Sequence, residues 1–216
     1  MELAIPSAAH VGAFAAAGFL LLLTPGPAVL YIVGRSVEQG RLAGVVSVLG
    51  ITTGTMVHVA AAVVGLSALV TSSVLAFSIV KYAGAAYLIY IGVRRLLTRS
   101  NLPTEMLLLP RRSLWRLYRD GFIVNVLNPK TALFFLAFLP QWVDADKGGV
   151  PSQIAFLGLL FACMGLLSDS TYALLAGTAG GWMKRQRSFL KAERYITSGV
   201  FVGLGLTAAF AGDARK

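Results

Sequence analysis

Two ionisable side chains sit where apolar helices would otherwise run unbroken. Lys130 lies eleven residues past Arg119 and fourteen before Asp144. At about 1.5 Å per residue it is about 16 Å in from Arg119, near the centre of a bilayer. An ammonium at that depth is costly and by default marks a substrate or ion site. The structural alternative is a lysine that neutralises backbone carbonyls freed beside Pro129; the functional reading is preferred. Asp169, among Ser168, Ser170 and Thr171, is the only acid inside any apolar span. Burial disfavours an ionised carboxylate and a nearby cation favours it, so Asp169 suits a proton carrier or a substrate contact. The alternative is a permanent ion pair with Lys130 or Lys81. Lys81 reads equally as a residue snorkelling to the outer interface or as a cavity residue. His58 reads as hydrogen-bonded packing before proton relay. No second His or carboxylate stands at helical spacing from either, so no metal site is expected, and no cofactor.

These groups need elements that hold them at depth, and the chain is organised around two interrupted apolar runs. The first is Leu20–Leu30 with Thr24-Pro25-Gly26-Pro27 at its middle, in a stretch without charge from Glu2 to Arg35. Each proline lacks an N–H and crowds the carbonyl four residues back, which predicts freed carbonyls at Leu21 and Leu23. In lipid such groups persist only when buried in protein or lining a polar cavity. The second run holds Asn125-Val126-Leu127-Asn128-Pro129-Lys130-Thr131. Broken spans at matching positions in two halves point to a transporter binding site.

The 216 residues are 56% hydrophobic and 13% charged, with mean hydropathy +0.74. That is too apolar for a soluble domain and predicts a single transmembrane domain of all-α class with six helices. Span 1 covers Val11–Val33 and span 2 Leu42–Leu69. Span 3 is Val74–Val93, span 4 Gly121–Val143, span 5 Ser152–Met183 and span 6 Ile196–Ala211. Gly34–Arg41, Ser67–Ser73, Arg94–Arg119, Asp144–Pro151 and Lys184–Arg194 are expected as connections. Those after spans 1, 3 and 5 hold 14 Lys and Arg, against three on the other side. The positive-inside rule puts the basic loops in the cytoplasm and both termini outside. Orientation thus accounts for the pI of 10.2, and no nucleic-acid partner is expected. Trp115, Trp142 and Trp182 fall at span edges, as aromatic belts require. The basic middle loop, with Trp115 and Tyr118, reads as touching anionic lipid. Residues 1–30 do not read as a cleavable leader, because no Lys or Arg precedes the apolar run. The lone Cys163 excludes an intramolecular disulfide and a CxxC pair.

Superposing Pro25 on Pro129 brings Thr24 onto Asn128, Ala28 onto Ala132 and Gly54 onto Gly158 without a gap. Three spans follow in each copy. Because three is odd, the copies enter from opposite sides, giving a 3+3 inverted-topology repeat: repeat 1 about 9–97, repeat 2 about 118–212, with a cytoplasmic linker about 98–117. Gly50-x-x-x-Gly54 and Gly199-x-x-x-Gly203 are expected as close helix contacts. Thr52, Thr53 and Thr55 cannot all face one cavity.

With these residues assembled, the chain resembles the LysE/RhtB family of bacterial amino-acid exporters. The resemblance rests on Thr24-Pro25-Gly26-Pro27, on Gly121-Phe122 followed by Asn125 and Asn128-Pro129-Lys130, on Lys81–Leu88, and on Asp169, and it covers nearly the whole chain. It implies export of amino acids or close derivatives across the inner membrane in exchange for protons. Relatives move lysine and arginine, or homoserine, threonine and leucine, or homoserine lactone. A sole membrane acid beside two membrane lysines favours neutral aliphatic or homoserine/threonine-like substrates over basic ones. The Lys130 ammonium, or a half-helix N-terminus after a break, suits the substrate carboxylate. Carbonyls at Leu21, Leu23 and Asn125, the Asn125 and Asn128 side chains and the Thr24 hydroxyl suit its ammonium. Thr24, Pro25, Gly26, Pro27, Asn125, Asn128, Pro129 and Lys130 are therefore the expected substrate site, with Asp169 for proton coupling. The alternatives are export of basic amino acids or other small metabolites, and a non-coupled channel. A redox or zinc enzyme of similar size would need paired cysteines or a ligand constellation that the sequence lacks. The expected partners are the substrate, protons and lipid, and a homo-oligomer is compatible with the sequence.

Overall fold

In the computed structural model, residues 7–24, 26–72, 111–144 and 147–183 are described, with residues 79, 82, 86, 89, 90, 93 and 202 besides. Pro25, Lys81, nearly all of the expected spans 3 and 6 and the Lys184–Arg194 loop lie outside them. The described residues contain no strand. Helix α1 is Ala8–Leu23, α2 Pro27–Gln39, α3 Arg41–Ser72, α4 Leu114–Val126, α5 Pro129–Leu133 and α6 Val150–Met183. Past α5, a π-helical turn at Phe134–Phe138 and a 3-10 turn at Leu139–Trp142 continue the same rod.

Local sequence explains the helix ends. Ser7 caps α1, its hydroxyl accepting from the His10 N–H at 3.4 Å. Thr24 and Asn128 each precede a proline, and both are extended, at ψ 117° and 110°, because the Cδ of the following ring excludes the helical region. Pro27 and Pro129 stand at the first helical position, where a missing N–H costs nothing. Gly40, at φ +86°, ends α2 in the left-handed region that a side chain would resist.

Helices α3 and α6 are long and apolar enough to cross a membrane, over Arg41–Leu66 and Val150–Thr178. The pairs α1–α2 and α4–α5 each pass the same test when joined, the second bent by 43°, which makes up to four spans among the described residues. Several boundaries differ from expectation. The expected connection Gly34–Arg41 is helical save Gly40, α3 runs on through Ser72, and α4 begins at Leu114 inside the expected loop. Basic and polar residues mark where a chain leaves the bilayer, and a helix need not stop there.

Two apolar clusters carry the packing. One joins Phe14, Leu21, Val59, Phe134, Phe135, Phe138, Ile154 and Phe161, with the Phe134 and Phe161 rings stacked at 3.8 Å. The other joins Ile32, Val48, Ile51 and Ala173. The π turn puts Phe134, Phe135 and Phe138 inward together while Leu136 is exposed. Val64, Leu127 and Leu167 are each more than 70% exposed, an apolar surface suited to lipid. At the α3–α4 crossing, a Cβ on Gly50 would stand 2.1 Å from the Tyr118 carbonyl and one on Gly54 2.9 Å from the Asn125 Cβ. Gly50-x-x-x-Gly54 is thus a backbone-to-backbone contact, as expected.

Candidate substrate site

The two chain interruptions meet. The Lys130 ammonium, in the first turn of α5, donates to the Thr24 carbonyl at the end of α1. Its stem crosses Gly26, where a Cβ would stand 3.0 Å from the lysine Cδ and 3.7 Å from Nζ. A cavity of about 40 Å³ opens beside this contact. Gly26, Asn125, Asn128, Lys130 and Asp169 all line it, together with Thr52, Thr55, Thr131 and the apolar Leu21, Ile51 and Phe161. Asp169, buried on α6, lines the same cavity as Lys130.

Asn125 holds the second interruption together. Its amide nitrogen donates to the Ile51 carbonyl and to the Thr55 hydroxyl, both at 2.8 Å. Its side-chain oxygen accepts from the Thr131 hydroxyl at 3.0 Å and from the Asn128 amide at 3.3 Å. All four hydrogen-bonding positions of the amide are thereby used. The Asn128 oxygen caps α5 by accepting from the Lys130 N–H at 3.1 Å. His58 donates through Nε2 to the Asn125 carbonyl at 3.0 Å, an acceptor that fixes the ring's tautomer. The same ring stacks on Phe135, in keeping with a packing role.

The carbonyls expected to be free are not. Leu21 accepts from the Thr24 N–H at 3.1 Å and from its hydroxyl at 2.5 Å. Leu23 accepts from the Tyr172 hydroxyl at 2.9 Å, and the Asn125 carbonyl accepts from the Asn128 N–H and from His58. The Thr24 hydroxyl is spent on Leu21 and its residue is wholly buried. Proline register tells which carbonyl loses its helical partner, but not which distant donor replaces it.

Thr52, Thr55, Thr131 and Tyr172 were not among the expected site residues. Spacing carried a signal for each: Thr52 and Thr55 are three apart and share a helix face, as do Asp169 and Tyr172, and Thr131 follows Lys130 directly. Thr53 points elsewhere, donating to Leu49 and accepting from Tyr118.

The sequence matches the LysE type translocator family over residues 19–212. The chain belongs to the LysE translocator family. LysE proteins are transporters, so this chain is a translocator and not an enzyme. Among its relatives, the homoserine/homoserine lactone efflux protein of Salmonella typhimurium is 31% identical over 195 residues, covering 90% of this chain and 93% of that protein. The uncharacterized membrane protein YrhP of Bacillus subtilis is 29% identical over 195 residues, covering 87% and 92%. An uncharacterized membrane protein of Vibrio cholerae is 27% identical over 189 residues, covering 88% and 91%. No solved structure matches the chain. The LysE match embraces both interruptions, Lys130 and Asp169.

Proposed function

We propose that this LysE protein exports a small neutral amino acid, of the aliphatic or homoserine/threonine type, from the cytoplasm in exchange for protons. The observation that carries this reading is the meeting of Lys130, Asp169 and the α1 end on one cavity. Lys130 receives the substrate carboxylate and Asp169 carries the proton. Thr24, Pro25, Gly26, Pro27, Asn125, Asn128 and Pro129 form or brace the binding surface. Cationic substrates are disfavoured because the one acid lining the cavity shares it with a lysine. The homoserine efflux activity named for the Salmonella relative supports a small substrate bearing an amine. A cavity of about 40 Å³ holds only a few waters, so substrate entry requires the helices around it to separate. The architecture that suits this is six spans in a 3+3 inverted repeat, in the inner membrane, with both termini outside. Efflux of a panel of labelled amino acids from loaded proteoliposomes, with and without a proton gradient, tests the reading. Gradient-driven release of neutral amino acids is expected. Release that ignores the gradient removes the antiport, and release of basic amino acids alone removes the substrate class.

A further inference from the structure

Two break carbonyls, Leu21 and Leu23, are held by neutral donors of the protein, Thr24 and Tyr172. Thr24 differs: its carbonyl takes a charged ammonium brought by Lys130 from another helix. That ammonium rides on a four-carbon stem which reaches across Gly26, where an added Cβ would press on the stem at 3.0 Å from Cδ. We propose that the Thr24 carbonyl is the receptor for the substrate's α-ammonium group, and that Lys130 occupies it as a stand-in until substrate arrives. The inference rests on the exporter reading and deepens it by naming the receptor atom.

The chemistry is an exchange of partners. A zwitterion entering between the two groups presents its carboxylate to Lys130 and its ammonium to Thr24. The Lys130 ammonium exchanges a carbonyl for a carboxylate, a stronger charge-assisted partner. The carbonyl exchanges one ammonium for another and is never left bare at mid-membrane, where an unpaired acceptor is costly. The ligand class follows: a primary amine and a carboxylate on one carbon. A carboxylate without the amine would draw Lys130 away and strand Thr24, and an amine without the carboxylate would meet Lys130 as a like charge.

The test uses the purified full chain in nanodiscs. Lys130→Ala removes the stem beyond Cβ, and n-propylammonium replaces what is lost atom for atom. The variant is expected to melt below wild type and to regain several degrees with millimolar n-propylammonium, but not with n-propanol or propionate, while wild type does not respond to the amine. Equal effects of amine and alcohol, or an equal shift in wild type, would overturn the proposal. Should Lys130→Ala not fold, Lys130→Gln is compared with the near-isosteric Lys130→Met. Gln can donate to Thr24 and Met cannot, so Gln is expected to melt higher, and equal melting would overturn the proposal. In vesicles, the deamino analogue of an exported amino acid should compete at least tenfold more weakly than the parent; equal competition again overturns it. If wild type exchanges no amino acid, the exporter reading fails, while the melting comparisons still decide whether the carbonyl holds an amine.

Discussion

His58 and Asn125 meet across the α3–α4 crossing, with ring Nε2 3.0 Å from the carbonyl oxygen that the second interruption leaves without a full helical partner. The imidazole therefore performs a backbone task at this point. His58→Phe keeps the stack on Phe135 and deletes the donor. It is expected to lower stability by about 1 kcal/mol, the net value of one such bond, and to leave the pH profile of efflux unchanged. A profile that shifts with this substitution would make His58 a proton-relay residue after all.

Asn125→Ala should be far more damaging, because it removes all four side-chain bonds and takes the acceptor from the Thr131 hydroxyl and the Asn128 amide, while the Ile51 carbonyl and the Thr55 hydroxyl keep only each other at 3.2 Å beside the helix's own bonds. A loss of about 3 kcal/mol is expected from unsatisfied buried groups, read as a fall in detergent melting temperature. Asn125→Asp keeps the shape but exchanges two donors for acceptors, and should be no better tolerated.

The roles of Lys130 and Asp169 separate by mutation. Lys130→Met should abolish binding and export together. Asp169→Asn keeps shape and hydrogen bonding but cannot ionise. It should stop gradient-driven efflux and spare substrate exchange, since exchange needs no net proton release. If the two form only a structural charge pair, each single substitution strands a buried charge and folded protein is lost, while the double mutant regains it. Full gradient-driven efflux in Asp169→Asn would remove it as the carrier.

Reporter fusions at Ser100 and Gly148 should report cytoplasm and exterior respectively, following the 14-to-3 distribution of Lys and Arg. The reverse at either site refutes the six-span orientation.

Gly50→Ala should cost 1–3 kcal/mol or more, the range for overpacking, because its Cβ would overlap the Tyr118 carbonyl. Gly12→Ala, with nothing within 4 Å of the added carbon, serves as the comparison and should be neutral to slightly stabilising. Equal melting temperatures for the two variants would refute the close crossing.

Two of the residues lining the candidate cavity were legible because their signals are expensive. A charge in an apolar run stands out whatever its neighbours, which is how Lys130 and Asp169 were singled out. The Asn128-Pro129 bend was legible too, because proline excludes the helical conformation before it by local sterics alone. The supply of free carbonyls was not legible. It depends on Tyr172, 149 residues from Leu23, and on His58, 67 residues from Asn125, and no local rule connects them. The extensions of α2 past Gly34 and of α3 through Ser72 were hidden for another reason: hydropathy locates the bilayer edge, while hydrogen bonding locates the helix end.

The glycine contact between α3 and α4 also bears on how the protein moves. With a hydrogen at Gly50 facing the Tyr118 carbonyl, and Gly121 meeting the Ser47 carbonyl from the other helix, the two backbones are already in close contact along this seam. A seam held this closely is expected to act as a fulcrum for any opening motion. Displacement on a lever grows with distance from its fulcrum. Asn125, one turn beyond Gly121, is expected to stay nearly still and keep its bonds, and α6, whose Gly177 faces the Arg41 backbone of α3 just as closely, to stay with the seam, while the end of α1 moves through the larger arc. On the exporter reading, opening is expected to fall on the Lys130–Thr24 contact and to leave the Asn125 network in place.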